Sequence, residues 1–577
     1  MPSSGNFARF NPLKRRASSY ADSNIDNANQ QLGSTTGNAA QLDVGFKLGD
    51  GKFYYEVYAA SIPGSLHFGV CIDNADLNNV TSGKAIIGMR EGGNKLVSTA
   101  PQTNSTSTSY GSSFASGGAI LAVAMDFTNS TMEFFINNSS QGSFSWSSAN
   151  DGSTYYPYVY MNTQVATLNT GQDSTFCGQK TAQGNTDENG FGDFYYTPPS
   201  GFLAMCSANL PTSDDIDPSQ TDDDFPQKQF NAVEYTGNST TGQSITGMGL
   251  KPDLLWCKMT SSSQNNQLFD SSRLNTRATP TPFMLRTDNI SAEIDDQSQG
   301  NNNPMISSFD TDGFTLGTSG SGPNDNGRTY IAMGWRANGG VTSSNTDGSI
   351  TSTVQANTKA GFSIITYTGT GANATIGHGL TKAPTFVMCK NRDDSDYWGL
   401  LHNGSSFGDA TDYLTLPSLS GFNDDNTFWN DTAPTDSVIH LGTNNRVNGS
   451  SDKMVAYAWH EVQGFSAFGG FVGTGNTDGS YVSLGFRPKF VFIKKVNQSS
   501  TTYGWPAFLD IVNNNRNDVY FDNWWIDQTV AVSGNYGLDF LSNGFKMRNN
   551  NTNLDGSGLH YIYCAWADSP SKFSNAF

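Results

Sequence analysis

The sequence predicts an all-β protein: one β-sandwich followed by three tandem β-sandwich repeat domains. Strand-like runs rich in Val, Ile, Tyr, Phe and Trp alternate with stretches of Asn, Gly and Asp. Only 14% of the residues are charged, and much of the polarity comes from Asn, Ser, Thr and 61 Gly, which are mediocre or poor helix formers. One unit recurs three times in the C-terminal part of the chain, as expected for small β domains in tandem.

The repeat is recognised by a proline and, six residues later, a lysine, on either side of a strand-like run. A strand opener that ends in glycine precedes the proline, and an aromatic strand that ends in tryptophan closes the unit. The matched positions are Pro252, Lys258 and Trp335, then Pro384, Lys390 and Trp459, then Pro488, Lys494 and Trp566. Two interpretations of the lysines stay open: pairing with a buried acid, or an aliphatic stem that covers the core.

Residues 44–178 carry motifs of one known family. Residues 51–57 (GKFYYEV) resemble the GKxYWEV strand of the SPRY (B30.2-like) domain, and residues 68–71 resemble its xGxx strand. Residues 124–137 are similar to its central hairpin, although the turn is Thr-Asn-Ser-Thr rather than glycine-rich. The polar stretch 104–116 is a second departure. The resemblance implies a bent β-sandwich that recognises proteins through its loops.

The segment 194–211 resembles a junction in bacteriophage structural proteins, in which a SPRY-like domain precedes β-rich repeats. We therefore identify six parts of the chain. They are an N-terminal attachment segment (1–43), a SPRY-like sandwich with its junction (44–211), an acidic linker (212–229), repeat 1 (230–340), repeat 2 with a leading linker (341–462) and repeat 3 (463–577).

Composition excludes several functional classes. The net charge of −19 disfavours binding to nucleic acid phosphates. No run of apolar residues reaches the length of a membrane span, and residues 1–23 lack the apolar core of a signal peptide. The six cysteines show no Cys-x-x-Cys spacing and are expected to be reduced core thiols of a protein assembled in a reducing cytosol.

No catalytic or cofactor motif is present, so we predict that the protein is not an enzyme and has no cofactor or metal. The six histidines form no His-Glu-x-x-His or His-x-His pattern. No catalytic pair is indicated by the spacing of the candidate acids Asp270, Asp310, Asp312, Asp396, Asp510 and Glu461. Asp-Gly turns such as Asp312-Gly313, and the segment 187–193, offer oxygen ligands for calcium. Plain turn chemistry is the alternative.

Two groups of residues are the binding candidates. Aromatic side chains stack on sugars and anchor protein interfaces, which makes Trp398, Trp505, Trp524 and Trp525 candidates; packing within each repeat's own core is the alternative. The basic cluster Lys14, Arg15 and Arg16 is the candidate attachment site to an acidic partner; a flexible tail is the alternative.

The resemblance implies a virion surface protein of a tailed phage, in a tail fibre or similar appendage, assembled in the host cytoplasm. We expect it to bind a host cell-surface glycan or protein non-covalently, to contact other virion proteins through its N-terminal segment, and to self-associate, as a trimer by analogy with tail fibres. A purely structural virion component and a polysaccharide depolymerase are the alternatives.

Overall fold

The structure is a computed structural model that describes residues 7–15, 24–34, 38–72, 86–98, 105–146, 154–162, 164–206, 208–209, 225–295, 304–317, 322–409, 411–500, 504–512 and 521–569. These residues form two compact units. Unit 1 comprises the described residues from 7 to 209 with 480–485, and unit 2 those from 225 to 479 and from 486 to 569. The fold is all-β, as predicted.

Unit 1 is a sandwich of two mainly antiparallel sheets. Its strands are β1 (Phe10–Arg15), β2 (Asn24–Asp26), β3 (Gln31–Ser34), β4 (Asn38–Leu42), β5 (Lys52–Tyr58), β6 (Leu66–Ile72), β7 (Ile86–Arg90), β8 (Asn94–Val97), β9 (Thr106–Ser109), β10 (Ile120–Asp126), β11 (Thr131–Ile136), β12 (Ser139–Ser145), β13 (Tyr155–Met161), β14 (Gln164–Asn169) and β15 (Leu203–Ala204). The first sheet has the order β1-β4-β13-β6-β7-β8-β9, and the second β12-β11-β10-β5-β14-β3-β2, with β15 paired to β5.

The inner faces of the two sheets share one apolar core, which includes Phe53, Val57 and Val123 from the second sheet and Phe68 and Val70 from the first. Tyr55 joins the sheets directly: its hydroxyl donates to the carbonyl oxygen of Gly69 and accepts from the Gly69 N–H, each at 2.8 Å. Gly69 has φ +147°, and a Cβ there would lie 2.3 Å from the Ile87 carbonyl oxygen, so glycine is needed for strands β6 and β7 to pair.

The N-terminal part of the chain differs from the expected attachment segment. Strand β4 pairs with β13 and strand β3 pairs with β14, so this segment adds strands to both sheets. Leu32, Ala39, Ala40 and Leu42 are buried in the common core. The alternation of small and apolar residues in this polar stretch was too short to predict strands, and pairing with distant strands stabilises them.

Unit 2 contains the three repeats apart from residues 480–485, which include the strand Tyr481–Ser483 of repeat 3 and belong to unit 1. Repeat 1 has a 3₁₀ turn (Pro226–Lys228) and strands β16 (Phe230–Thr236), β17 (Gln243–Ile245), β18 (Leu254–Met259), β19 (Gln267–Leu274), β20 (Pro282–Arg286), β21 (Ile306–Asp310), β22 (Gly313–Leu316) and β23 (Thr329–Trp335). Repeat 2 has β24 (Ser343–Asn345), β25 (Ser352–Asn357), β26 (Phe362–Thr368), β27 (Ala374–Gly377), β28 (Phe386–Asn391), β29 (Trp398–His402), β30 (Asp412–Leu416), β31 (Asn423–Asp424), α1 (Asn426–Trp429), β32 (Val438–Leu441), α2 (Asn445–Asn448) and β33 (Lys453–Trp459).

Repeat 3 has β34 (Ser466–Val472), β35 (Tyr481–Ser483), β36 (Arg487–Lys495), β37 (Pro506–Leu509), a 3₁₀ turn (Asp510–Val512), β38 (Phe521–Trp525), β39 (Ser533–Tyr536), β40 (Leu538–Leu541), β41 (Gly544–Met547) and β42 (His560–Ser569). In repeats 1 and 2 a large sheet and a small sheet share one core, which makes each a sandwich. The leading linker predicted for repeat 2 is different: β24 and β25 extend its large sheet.

The three large sheets have the same centre. In each, the closing strand lies between the opener strand and the lysine-bearing strand: β16-β23-β18, β26-β33-β28 and β34-β42-β36. The register matches as well, because the three lysines pair with Ile331, Val455 and Ile562, each four residues before the closing tryptophan. The repeat predicted from the sequence is therefore a structural repeat.

The repeats pack around a common centre where Trp335, Trp459 and Trp566 meet. Their ring centroids are 6.3, 5.4 and 6.0 Å apart for the three pairs, and all pairs are edge-to-face. Each tryptophan is at most 3% exposed. Every repeat contributes one ring and contacts the other two, so the arrangement is cyclic rather than a row of three domains.

Candidate functional site

The four tryptophans predicted to bind a ligand are core residues, so this prediction is corrected. Trp398, Trp505 and Trp524 are 0% exposed and Trp525 is 2% exposed. The Trp398 indole nitrogen donates to the Arg286 carbonyl oxygen at 2.8 Å, and Trp524 stacks on Phe490 at 5.8 Å. These side chains lie on the inner faces of their sheets, where an external ligand finds no aromatic surface.

The predicted attachment cluster lies largely outside the described residues. Strand β1 includes the backbone of Lys14 and Arg15, but their side chains, and the whole of Arg16, are outside the described part of the chain. Residues 212–224 of the acidic linker are outside it too. The attachment role therefore stays a prediction.

The matched lysines join neighbouring repeats. All three are 0% exposed, and each ammonium donates to a main-chain carbonyl oxygen of another repeat: Lys390 to Ile290 (3.3 Å), Lys494 to Ser418 (3.0 Å) and Lys258 to Thr529 (3.1 Å). Repeat 2 thus reaches repeat 1, repeat 3 reaches repeat 2, and repeat 1 reaches repeat 3. Neither sequence-based interpretation is sufficient alone: the whole lysine side chain is buried, its charged end donates to carbonyl oxygens, and the carboxyl groups of Asp288 and Asp527 act on Lys258 and Lys494 through their charge.

The best candidate for ligand binding is a column of side chains in repeat 2, which we call the aromatic stack: Tyr397, Arg446, Phe428 and Tyr413. The guanidinium carbon of Arg446 lies 5.1 Å from the Tyr397 ring centroid and 5.8 Å from that of Phe428. Phe428 in turn stacks on Tyr413, with centroids 3.7 Å apart and ring planes 7° apart. Tyr397 is 37% exposed, whereas Phe428 is buried.

Separate elements bring these side chains together. Tyr397 directly precedes β29, so strand alternation points Trp398 into the core and Tyr397 outward. Phe428 lies on α1, whose first turn is capped by Asp425, which accepts the Thr427 N–H at 2.9 Å. Arg446 lies on α2, where Asn444 accepts the Arg446 N–H at 3.1 Å. Each member is therefore held by local hydrogen bonds as well as by the stack.

Polar groups surround the exposed ring. Asp396 accepts from Arg446 Nε at 2.9 Å, and Asp394 accepts from Asn445 Nδ2 at 2.7 Å. Beneath them, the ammonium of Lys390 donates to the carbonyl oxygens of both aspartates. Burial lowers the pKa of Lys390 to about 8, while the charges of Asp396 and Asp394 oppose that shift. The buried lysine thus fixes the loop that presents Tyr397.

This arrangement suits recognition rather than bond making. An aromatic face stacks on apolar or flat groups, and carboxylate, amide and guanidinium groups satisfy hydroxyls and amides at its edge. The Arg446 guanidinium donates to Asp396 and the Asn445 amide donates to Asp394, which fixes the geometry of these groups before any ligand arrives.

The candidate acids and turns have structural partners. Asp270 and Arg273 form a fully buried ion pair at 2.5 Å, and Asp510 accepts from Arg487 at 2.7 Å. Asp312 accepts the N–H groups of Gly247 and Gly249, which lower the pKa of its carboxyl group. The turn interpretation of Asp312 agrees with this geometry. In the described residues, no group of three or more His, Cys, Asp and Glu side chains is arranged to hold a metal ion.

Unit 1 offers a polar surface. The four side chains of β9, within the insert predicted from the sequence, are all exposed, as are most of those of β12. Next to them, Tyr110 packs edge-on against Phe144 at 5.3 Å, and the Lys95 ammonium lies 4.7 Å from the Phe144 ring centroid.

No helix in the described part of the chain combines the length and apolar content that a membrane span requires.

Two sets of residues are not predictable from local sequence patterns alone. The first is the aromatic stack as an assembly, because Tyr413, Phe428 and Arg446 lie far from Tyr397 in sequence; the alternation of Tyr397 with Trp398 was the available signal.

The second set is a hydrogen bond that recurs in all three repeats. The main-chain N–H groups of Asn238, Thr370 and Thr474 donate to the side chains of Asn324, Asn448 and Asp555 at 2.8, 2.7 and 3.0 Å. A polar residue 11 positions before each closing tryptophan was its signal.

Comparison with known proteins assigns both parts of the chain. Residues 52–173 match the SPRY domain model, and residues 225–570 match the model described as a domain of unknown function, DUF7483. No curated protein matches the chain.

Solved structures similar to this chain include the SPRY domain of human HERC1 and the PSpry domain of TRIM65. Each has 14% identity and a TM-score of 0.21 and covers 28% of this chain; the alignments cover 96% and 92% of those chains. A human SPRY domain has 13% identity and a TM-score of 0.19, with 25% of this chain and 93% of that chain covered. Because the second family model spans more than half of the residues, the chain belongs to the DUF7483 family and carries a SPRY domain ahead of that region.

Proposed function

We propose that this protein is a virion surface protein of a tailed phage, in a tail fibre or similar appendage, and that it adheres to the bacterial host by non-covalent binding. The phage assignment rests on the resemblance of the 194–211 junction and of the domain order to phage structural proteins. The adhesive role rests on the geometry of unit 2.

The observation that carries the adhesive role is the aromatic stack. Tyr397 stands out from the repeated tryptophans because its ring is 37% exposed, while theirs fill the core. Arg446 lies against the ring, and the loop before the ring supplies Asp396 and Asp394, which accept from Arg446 and Asn445. Fixed aromatic rings at the surface are typical contact residues of binding sites, since they bury much area at little conformational cost.

Avidity would raise the apparent affinity of such a small site. Many copies on one particle raise apparent affinity by factors of about 10² to 10⁴ without new contacts. Self-association of the chain, as a trimer, is part of the proposal and is supported by the analogy with tail fibres. The three repeats of unit 2 already complete one cyclic set, so self-association is not needed to close that set. Contact with other virion proteins is assigned to the N-terminal segment.

Immunogold labelling of intact virions with antibody against repeats 2 and 3 tests the proposal. We expect label at the distal ends of tail appendages, together with co-sedimentation of the purified protein with host cells. Label on the head or the tail shaft would instead favour a purely structural component, and absence of label would overturn the virion assignment. Shortening of host polysaccharide by the purified protein would replace adhesion with depolymerase activity.

A further inference from the structure

We propose that the aromatic stack binds a neutral saccharide, with the exposed face of Tyr397 as its platform and the surrounding polar groups as partners for the sugar hydroxyls. This inference rests on the proposed adhesive function and specifies the ligand class of the same site.

The Tyr397 ring is preorganised for binding. Tyr397 does not have to be ordered on binding, because Arg446 lies against the ring and is itself held by Asp396 at 2.9 Å. Arg446 is supported on its other side by Phe428, which stacks on Tyr413 at 3.7 Å. A ligand that docks on this ring therefore avoids most of the entropy loss that a free surface side chain would suffer.

The site combines an aromatic face with hydrogen-bonding groups, as a saccharide requires. A pyranose ring offers a face of C–H bonds and an edge of hydroxyls, each of which both donates and accepts. The site offers an aromatic face together with acceptors (Asp394, Asp396) and donors (Arg446, Asn445). A purely apolar ligand would displace water from the remaining hydrogen-bonding positions of these groups without replacing it, at a cost in free energy.

The negative charge of the site bears on the class of ligand. Three aspartates, Asp393, Asp394 and Asp396, lie in the loop before Tyr397, and the chain as a whole carries a net charge of −19. Acidic saccharides would be repelled. A basic peptide would be attracted, but Arg446 and Asn445 already engage two of these carboxylates, and Asp393 accepts the Lys453 N–H at 2.8 Å. Among these partners only Arg446 is charged, so the loop keeps a net negative charge; its carboxylates are nevertheless held in place, and their remaining lone pairs can accept from the hydroxyls of an uncharged polyhydroxylated ligand.

The test uses the full-length chain and polysaccharide extracted from the surface of host cells, separated by anion exchange into neutral and acidic fractions. Affinity electrophoresis through gels that contain either fraction compares the wild type with Tyr397→Ala and Tyr397→Phe. Val341→Ala, at a side chain 64% exposed elsewhere in unit 2, is the matched control. Circular dichroism verifies that each variant is folded.

We expect retardation by the neutral fraction, a loss of affinity of at least about ten-fold in Tyr397→Ala, and retention within about two-fold in Tyr397→Phe and Val341→Ala. Binding only to the acidic fraction, binding to neither, or equal binding by Tyr397→Ala would overturn the inference, as would binding to an oligolysine peptide in place of saccharide. If the wild type still sediments with host cells in those cases, the saccharide inference fails while adhesion stands. If the protein does not sediment with host cells and virions are not labelled, the proposed function itself is overturned.

Discussion

The three matched lysines carry charged ends in the interior of unit 2, although lysine is rarely buried. Burial lowers the pKa of Lys494 to about 7 and those of Lys258 and Lys390 to about 8. The carboxyl groups of Asp288, Asp396 and Asp527 oppose these shifts without cancelling them. Each repeat junction therefore contains a lysine whose pKa lies close to neutrality, well below its ordinary value of 10.5.

The pKa of Lys494 predicts a pH dependence of stability. The unfolded lysine keeps its proton up to its ordinary pKa of 10.5, whereas the folded lysine releases it from about pH 7. The unfolded state thus binds more protons above pH 7, and the free energy of unfolding rises with pH. We expect the melting temperature of the wild type to rise more between pH 6.5 and 8.5 than that of Lys494→Met.

The quantity compared is the change of melting temperature with pH in each protein, because groups away from Lys494 and its neighbour Asp527 titrate alike in both. Lys382→Met, at an exposed lysine, should keep the wild-type slope. Parallel slopes for the wild type and Lys494→Met would mean that Lys494 keeps its proton in the folded state.

The tryptophan triad is a second feature at the residue scale. The indole nitrogens of Trp335, Trp459 and Trp566 are buried and have no hydrogen-bond partner among the described residues. The edge-to-face geometry sets ring edges against neighbouring π faces, which offsets part of the missing hydrogen bonding.

Removal of one ring should therefore destabilise all three repeats. We predict that Trp566→Ala lowers the free energy of unfolding of unit 2 by about 3–5 kcal/mol, since a large core side chain leaves a cavity. Urea denaturation followed by far-UV circular dichroism measures this loss. Val341→Ala should change the value by less than about 0.5 kcal/mol, as at other surface positions; an equal effect in both variants would argue against a shared core.

At the scale of elements, the opener strands illustrate how close approach selects glycine. Gly237, Gly369 and Gly473 directly follow the three openers, and a Cβ at any of them would lie 2.2–2.5 Å from a backbone oxygen of the loop before the closing strand. The same loops supply Asn324, Asn448 and Asp555, which cap the main chain after each glycine. The glycine in the repeat signature is therefore explained by packing between two segments far apart in sequence.

In unit 1, a buried carboxylate attaches an irregular segment to the second sheet. Glu56 on β5 accepts the N–H groups of Tyr195 (2.9 Å) and Tyr196 (2.8 Å), Asn169 Nδ2 (3.0 Å) and the Tyr54 hydroxyl (3.3 Å). Phe194, Ala204 and Cys206 then pack on the outer face of that sheet. The motif GKFYYEV, through its glutamate, thus holds the segment that follows the sandwich.

Glu56→Ala should loosen that segment. The substitution leaves buried N–H groups without acceptors, at about 1–3 kcal/mol for each. We expect faster cleavage near residues 194–202 in limited proteolysis, with mass spectrometry locating the cuts. Glu133→Ala, at a half-buried glutamate on β11 of the same sheet, should be cleaved at the wild-type rate. Equal protection in both variants would mean that apolar packing alone holds the segment.

At the scale of the whole molecule, unit 2 closes tandem repeats into a cycle. The loop at 286–293 contacts repeat 2, the loop at 418–422 contacts repeat 3, and the loop at 525–532 contacts repeat 1. The first junction adds an ion pair between Glu293 and Arg392 at 2.7 Å. Because every repeat has two neighbours, none of them presents its inner face to solvent, unlike the end members of an open array.

The cysteines give a test at the same scale. None of the six cysteines, all of which lie in the described residues, forms a disulfide; Cys177 is half-buried and the other five are buried. We predict that a water-soluble thiol reagent labels one cysteine in the native chain, Cys177, and six in urea, as judged by absorbance and by mass spectrometry of peptides. A matched Cys177→Ser variant should show no rapid labelling. Several rapidly labelled thiols in that variant would contradict the packing of both units.

Sequence by itself determined the local features: the all-β class, the SPRY motifs, the Asp312 turn and the repeat with its lysine and tryptophan in fixed register. These depend on side-chain alternation and turn chemistry over a few residues, which a sequence displays directly. Tertiary structure alone decided that residues 31–34 and 38–42 of the polar N-terminal segment form strands, that Trp398, Trp505, Trp524 and Trp525 are buried, and that Arg446 meets Tyr397. Those outcomes depend on which faces of distant elements meet when the repeats close into a cycle, and local periodicity carries no information about that.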